Sequence, residues 1–199
     1  MSYVASKVIL IRHAEKPVAA DPHAKPPVPA YNGINGFGDP DEHSLIPRGW
    51  QRAGALAGLF TSSSGPLPVP HFLFAPNAFG NGTSKRPYQT ISPLGNKLGL
   101  VINAAHDGKP GAKYSKDEYV PMLEKATSCR GVVLISWEHG EIPKLGNWLL
   151  KSDSAPQWPG DRFDIVWVFD LAPAGASYAL NQAPQLLLPG DEATTIFTS

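Results

Sequence analysis

Short apolar runs of strand length recur along this chain, and segments with helical periodicity separate them. The run "GVVLISW" at 131–137 carries no charged residue, which is typical of a strand covered on both faces. Similar runs occur at 7–12, 71–76 and 163–171, and "LVINA" at 100–104 is a shorter one. Strands that alternate with helices predict an α/β fold, with helices on both faces of a largely parallel sheet.

The segments between these runs carry signals for helices. Pro47 suits the first position of a helix over 47–60. A capping box formed by Ser115 and Glu118 predicts another over 115–128. The segment 84–98 contains Pro87 and Pro93, so we expect its helix to begin at Pro87 or to bend near Pro93. Helical spacing also follows the run at 131–137, and the segments "SYAL" and "QLLL" predict a final hairpin or edge strand.

Composition narrows the class of protein. The chain has 199 residues, which suits a single domain spanning 1–199. Lys plus Arg number 17, as do Asp plus Glu, so we expect no basic surface for nucleic acid. The single cysteine, Cys129, excludes an intramolecular disulfide and a cysteine-rich metal site. No apolar run reaches the ~18 residues of a membrane span and no secretory signal is present, so we expect a cytoplasmic protein without membrane contact.

The segment 17–47 is unlike the rest of the chain. It is rich in proline and glycine, a composition that favours irregular backbone. A loop this long in a compact domain is either functional or disordered, and this one departs from the Arg12–Glu15 segment. Tyr31, Ile34 and Phe37 favour an ordered loop, since they offer apolar anchors. We therefore interpret 17–47 as an insertion that acts as a lid or selects the substrate, with a disordered surface loop as the alternative.

Polar residues stand just beyond three of the predicted strands. Ligands of open α/β sheets bind outside the carboxyl ends of the strands, so these residues predict one shared pocket. They are Arg12, His13 and Glu15 after the first run, the stretch from Thr83 to Gln89 after the second, and Glu138, His139 and Glu141 after the run at 131–137.

Two arginines and two histidines in one pocket favour phosphate chemistry. The planar fork of an arginine donates two parallel hydrogen bonds to phosphate oxygens. Neighbouring guanidinium groups such as Arg12 disfavour a protonated His13, and a neutral histidine can attack phosphorus as a nucleophile. A carboxylic acid would then protonate the departing alkoxide. The cationic side chains supply the charge stabilisation, so we expect neither a metal nor another cofactor.

Four motifs in this order resemble those of the histidine phosphatase superfamily, the phosphoglycerate-mutase-like proteins. The segment "LIRHAEKP" resembles the family's R-H-G/A-E signature, and "LIPRGWQRAGALA" is similar to its L-T-P-x-G-x-x-Q-A helix start. The segment "TSKRPYQT" resembles S-x-x-R-x-x-Q-T, and "VVLISWEHGEIP" resembles the strand that precedes the second histidine. Together the four motifs cover most of residues 7–150.

The resemblance implies a three-layer α/β/α sandwich and a role for each matching residue. His13 would be the phosphorylated nucleophile of a phosphomonoesterase. Arg12 and Arg86 would bind the phosphoryl group of a small-molecule substrate, and His139 would complete that pocket. Glu15, also within the signature, is a further candidate for binding the substrate. Ile46 stands where the family often has Thr or Ser, so a side-chain cap of the helix at 47 is absent or comes from Ser44.

The general acid has no unambiguous match in the family pattern. Glu141, two residues after His139, is the first choice, and the alternatives are Glu138, Glu15 and Asp107. Two other functions therefore stay open: a phosphate-binding protein without catalysis, and a phosphatase of phosphohistidine or phosphoramidates, whose leaving group needs less help from an acid. Neither the substrate nor the oligomeric state follows from the sequence.

Overall fold

The structure, a computed structural model, describes residues 4–23, 25–27, 29–79, 84–105, 116–173 and 177–196. Strands and helices alternate along the chain as the apolar runs predict. In chain order they are β1 (Ala5–Arg12), α1 (Pro47–Leu59), β2 (Phe72–Pro76), α2 (Arg86–Leu98), β3 (Ile102–Ala105), α3 (Lys116–Ser128), β4 (Gly131–Trp137), α4 (Ile142–Leu150), β5 (Ile165–Leu171) and β6 (Tyr178–Pro184).

Within the described residues these strands form one mixed sheet in the order β3-β2-β4-β1-β5-β6. The neighbours β3, β2, β4 and β1 are parallel, whereas β5 is antiparallel to β1 and β6 is antiparallel to β5. Arg12 and Trp137, the last residues of β1 and β4, lie side by side in the register. The chain therefore leaves these two central strands at the same edge, with His13 beside Glu138.

The two faces of the sheet bury separate apolar cores. Alternate residues of a strand point to opposite faces, so Val8 and Leu10 pack with residues of α3 and α4. Ile9 and Ile11 pack on the other face with residues of α1 and α2. All four side chains are fully buried, and burying each stabilises the fold by about 1.5–3 kcal/mol. The predicted layers, helices on both sides of a mostly parallel sheet, are confirmed.

Helix α1 begins at Pro47 as predicted, and of the two alternatives for its cap the structure has the one without a side-chain cap, whereas α2 begins one residue before the predicted Pro87. Ile46 precedes α1 without a side-chain cap, and Ser44 does not replace it, because its hydroxyl donates to Asp41. Helix α2 begins at Arg86 and continues through Pro93. Because Pro93 has no N–H, it cannot donate the helical hydrogen bond to the carbonyl of Gln89. That carbonyl accepts a hydrogen bond from the Ser92 hydroxyl at 3.0 Å instead. The capping box expected at Ser115 lies outside the described residues.

The described residues of the insertion 17–47 are irregular as far as Ile46, and polar contacts hold them. The carbonyl of Ile34 accepts a hydrogen bond from the Trp50 indole at 2.9 Å, and its N–H donates to Leu45 at 2.8 Å. The expectation that apolar anchors order this segment is wrong for two of the three residues, since Tyr31 is 47% exposed and Phe37 is 95% exposed. Backbone hydrogen bonds take the place of those anchors.

Candidate active site

His13 lies directly after β1, where its N–H donates to the carbonyl oxygen of Trp137 at 2.9 Å. Its side chain is buried, with 2% of the residue exposed. The ring nitrogen Nδ1 lies 2.7 Å from the carbonyl oxygen of Ala14, and because a carbonyl can only accept, Nδ1 carries the proton. The neutral ring therefore has its lone pair on Nε2.

Burial lowers the pKa of His13 to about 3, although the hydrogen bond to Ala14 favours the charged form. The positive charges of Arg12, Arg86 and His139 lower the pKa further. A histidine with this pKa is neutral at physiological pH, so Nε2 keeps the electron pair that a nucleophile needs. The structure thus brings together the four side chains that the sequence analysis assigns to one pocket.

Arg12, the last residue of β1, is completely buried. Its Nη1 donates to the carbonyl oxygens of Gly160 and Arg162 at 2.8 and 2.9 Å, and the ring of Phe163 lies 3.7 Å from its Cζ. Burial lowers the pKa of Arg12 to about 10, while the charge of Glu138 raises it, so the side chain stays positive at neutral pH. Its Nε and Nη2 are buried, and neither has a hydrogen-bond partner among the residues that the structure describes.

Arg86 enters the pocket from the first residue of α2, and its charge lowers the pKa of Arg12 as well as that of His13. Two residues of the same motif hold this arrangement in place. The Thr90 hydroxyl accepts from the N–H of Ala14 and donates to the carbonyl of Arg86, each at 2.8 Å. The side chain of Gln89 accepts from the N–H of Leu45 at 3.0 Å. The Q-T pair therefore connects Arg86, the loop after His13 and the end of the insertion.

His139 lies two residues after the end of β4 and reaches the pocket from there. Its Nδ1 lies 2.5 Å from a carboxylate oxygen of Glu138, whose other oxygen accepts from the N–H of Gly140 at 2.9 Å. Burial and the charge of Arg12 lower the pKa of His139, while Glu138 raises it. A Cβ at Gly160 would lie 3.8 Å from Nε2 of His139, so this nitrogen faces the same segment that contacts Arg12.

These positions define an anion site with a neutral nucleophile at its centre. Two buried or half-buried arginines supply planar donors, and a bound anion would favour protonation of His139, making Nε2 a further donor. Arg12, Arg86 and His139 are near enough for their charges to act on His13, which is the arrangement needed to stabilise charge on a transferring phosphoryl group.

Glu15 occupies a different position from the one expected of a residue that binds substrate. Both of its carboxylate oxygens accept hydrogen bonds from Arg52 at 2.9–3.2 Å, and one accepts from Arg48 at 3.2 Å. Arg52, which its place on α1 suggests is solvated, is 2% exposed and also binds Asp191. The carboxylate of Glu15 is thus engaged in an ion-pair network that holds α1 and the segment after β6.

The candidates for the general acid are separated by their contacts. Glu141 lies at the N-terminus of α4, where one carboxylate oxygen accepts from Lys144 at 2.7 Å. Its other oxygen is buried and has no partner among the described residues. Glu138 rather than Glu141 contacts His139. Asp107 lies outside the described residues.

The segment 159–163 is the part of the site that sequence reasoning misses. It contacts Arg12 and approaches His139, yet none of the four motifs includes it. In the sequence, Pro159 and Gly160 indicate only a turn before β5. This segment is difficult to identify from the sequence because it contacts Arg12 mostly through backbone carbonyls. Every residue type has such a carbonyl, so the residue letters give no signal.

In the parts of the chain that the structure describes, no group of three His, Cys, Asp or Glu side chains is arranged to hold a metal ion. Nor does any helix of those parts have the length and apolar character needed to cross a bilayer.

No protein-family model matches this sequence, and no curated protein is similar to it at a significant level. Among solved structures, the chain is similar to the alpha-ribazole phosphatase from Shigella flexneri, with 12% identity, a TM-score of 0.51 and coverage of 88% of this chain and 94% of that chain. Further similar structures are a mycobacterial glucosyl-3-phosphoglycerate phosphatase in complex with VO3 (16% identity, TM-score 0.47, 89% and 97% covered) and a phosphoserine phosphatase from Entamoeba histolytica (13%, 0.49, 87% and 94%).

The similarity to the Shigella flexneri structure extends over nearly the whole length of both chains. It confirms the fold that the four motifs imply, an α/β fold with a mostly parallel sheet.

Proposed function

We propose that this protein is a phosphatase of the histidine phosphatase type that hydrolyses a phosphomonoester through a phosphohistidine on His13. The observation that carries the proposal is the state of this side chain. Its Nδ1 donates to Ala14, and its pKa lies far below neutrality because it is buried and because the charges of Arg12 and Arg86 act on it. The Shigella flexneri protein that shares the fold is by its name a phosphatase, which supports the same reaction class.

In the first step Nε2 of His13 attacks phosphorus, and the bond from phosphorus to the ester oxygen breaks. Arg12, Arg86 and His139 donate hydrogen bonds to the phosphoryl oxygens, where negative charge must be stabilised. The leaving alkoxide takes a proton from a carboxylic acid. In the second step this carboxylate removes a proton from water, which attacks phosphorus and breaks the N–P bond, so phosphate leaves and His13 is restored.

We assign the acid to Glu141 and give Glu138 the task of orienting His139. The buried carboxylate oxygen of Glu141 without a described partner supports the first assignment, and the contact between Glu138 and His139 supports the second. Glu15 then contributes by holding α1 through Arg48 and Arg52, and it does not bind the substrate. Because side chains supply the positive charge, the activity needs no metal, and protein treated with a chelator should remain active.

We also propose that the insertion 17–47 helps to select the small phosphorylated substrate. Its end contacts the N-terminus of α2, where Nη1 of Arg86 donates to the carbonyl of Glu42 at 3.3 Å. Lys85 forms an ion pair with Asp41 at 2.7 Å beside it. Replacing residues 18–30 by a short Gly/Ser linker should therefore change the ranking of substrates by kcat/KM while phosphate binding persists.

We propose the cytoplasm as the location of this protein. Its single cysteine, Cys129, is a free thiol, as is usual in a reducing compartment.

The test of the intermediate is rapid-quench labelling with a substrate that carries a radioactive phosphoryl group. The wild type should give an acid-labile, base-stable adduct that is absent from His13→Ala. His71→Gln is the matched control, because His71 precedes β2 at the amino edge of the sheet, away from the pocket. An absence of both adduct and hydrolysis across a broad panel of phosphate esters would show that the proposal is wrong.

The dependence of rate on the leaving group separates the two glutamates. Loss of a general acid typically lowers the reaction rate by 10²–10⁴-fold, and the loss is greatest for substrates with poor leaving groups. Glu141→Gln should thus lower kcat strongly for an alkyl phosphate and little for an aryl phosphate or a phosphoramidate. Glu138→Gln should instead weaken the binding of all three substrates, the alkyl phosphate, the aryl phosphate and the phosphoramidate. Equal losses on alkyl and aryl esters in Glu141→Gln would contradict the assignment.

A further inference from the structure

The segment from Pro159 to Phe163, called here the 159–163 wall, surrounds one side of Arg12. Its carbonyl oxygens at Pro159, Gly160 and Arg162 accept from the single nitrogen Nη1, at 3.4, 2.8 and 2.9 Å. The ring of Phe163 lies against the guanidinium, with 3.7 Å between its centroid and Cζ. A cation over an aromatic face is attracted by the ring, and more strongly where water is excluded.

These contacts fix the direction in which the remaining donors point. A guanidinium is planar and rigid, so holding Nη1 and one face determines the position of the edge formed by Nε and Nη2. Both of these atoms are buried and lack a hydrogen-bond partner among the described residues. Leaving such donors unpaired is costly, which points to a ligand with two acceptor oxygens.

The wall is held independently of Arg12. The carbonyl of Arg162 also accepts from the Trp158 indole at 2.9 Å, and the Arg162 side chain forms ion pairs with Asp164 at 2.7 Å and Glu192 at 3.0 Å. Phe163 is therefore attached to a fixed segment, and its ring also lies 6.1 Å from that of His13.

We propose that Phe163 is a positioning residue, which holds Arg12 so that Nε and Nη2 together grip two oxygens of a phosphoryl group bound at His13. This inference deepens the proposed function, on which it rests for the nature of the ligand. It extends the site to a segment of the chain that the four motifs do not contain.

The test is a comparison of inorganic phosphate binding by calorimetry in variants of the full chain. Phe163→Leu keeps an apolar side chain but loses the aromatic face, and it should weaken binding about tenfold, equivalent to about 1.4 kcal/mol. Phe163→Tyr and Phe163→Trp keep the face and should restore most of the affinity. Trp148→Leu is the matched control, because Lys151 lies 3.9 Å over the Trp148 ring in a similar pair on α4.

A double-mutant cycle identifies the partner through which Phe163 acts. In Arg12→Lys the planar fork is gone, so adding Phe163→Leu should cause little further loss of phosphate affinity. Unaltered binding in Phe163→Leu, failure of both aromatic variants to rescue, or additive losses in the cycle would each overturn the inference. If Phe163→Leu does not fold, Phe163→Met provides the same comparison.

The same measurements separate this inference from the proposed function. A wild type that binds phosphate but hydrolyses no ester would refute the phosphatase, while the Phe163 variants would still decide the role of the wall. A wild type that binds no phosphate would overturn both.

Discussion

Replacing Arg52 by methionine should be among the most destabilising single changes outside the apolar core. The side chain of Arg52 is 3% exposed, and those of its partners Glu15 and Asp191 are 10% and 4% exposed. All five N–H donors of its guanidinium are used, by these two carboxylates and by the amide oxygen of Gln185. Methionine fills much of the volume but leaves two buried carboxylates without their shared cation.

The expected loss in the free energy of unfolding is about 3–5 kcal/mol, the usual cost of removing one partner of a buried ion pair. Arg48→Met is the matched control on the same helix. The side chain of Arg48 is 42% exposed and contacts the same Glu15 at 3.2 Å, so its loss should cost no more than about 1 kcal/mol. Urea unfolding at pH 7, followed by tryptophan fluorescence, measures both values.

The pH dependence of the difference adds a second check. Burial opposes ionisation of Asp191, but the hydrogen bonds from Arg52 and from backbone N–H groups outweigh it and lower its pKa to about 2, from an ordinary 3.8. The stability that this pairing contributes is therefore present above pH 4 and is lost as the pH falls towards 2. The gap between wild type and Arg52→Met should narrow over that range.

A third variant tests the cause. Adding Glu15→Gln and Asp191→Asn to Arg52→Met removes the unpaired charges, so part of the lost stability should return. The reasoning is refuted if Arg52→Met costs no more than Arg48→Met, or if the triple variant is less stable than Arg52→Met alone.

Three further predictions concern the nucleophile, its loop and the packing of the helices. The ring of His13, followed by NMR, should stay neutral from pH 8 to 5, because its pKa is about 3; a midpoint near 6.5 would contradict this. Thr90→Val should lower kcat/KM and cost about 1–3 kcal/mol, since it leaves the N–H of Ala14 unpaired, whereas Thr90→Ser should retain both; equal effects would show that the hydroxyl is irrelevant. Gly146→Ala should lower the unfolding midpoint, because the new Cβ would lie 2.9 Å from that of Ala155, while Gly54→Ala, with nothing within 4 Å, should raise it.

The layers of the fold follow from local sequence, because strands covered on both faces must be apolar throughout. "GVVLISW" is such a strand, and "FDIVWVFDL" contains another in the buried residues Ile165–Phe169; the change in periodicity between them identifies the helix that separates them. Their order in the sheet depends on contacts between distant residues, which periodicity does not encode. The antiparallel direction of β5 beside β1 is one example, since the sequence alone predicts only a largely parallel sheet.

The residues in and around the candidate site also divide into those that local sequence identifies and those that depend on contacts between distant segments. The four residues end a strand, follow one or begin a helix at one edge of the sheet, so a rule about strand ends identifies them together: Arg12, His13, Arg86 and His139. Arg52 looks solvated in the sequence because its partners come from distant segments, and only the folded chain shows that it is buried. The 159–163 wall is hidden for another reason, as its carbonyls are common to every residue type.

The two buried arginines, Arg52 and Arg12, therefore have different consequences for this protein. Arg52 has every donor matched by a group of the chain itself, so we assign it to stability alone. Arg12 is buried as deeply, yet two of its nitrogens lack a hydrogen-bond partner among the described residues. The cost of burying unpaired donors is recovered only when a ligand supplies the acceptors, so phosphate should stabilise the wild type against unfolding much more than it stabilises Arg12→Met. Equal stabilisation of both proteins would place the anion elsewhere and remove Arg12 from the site.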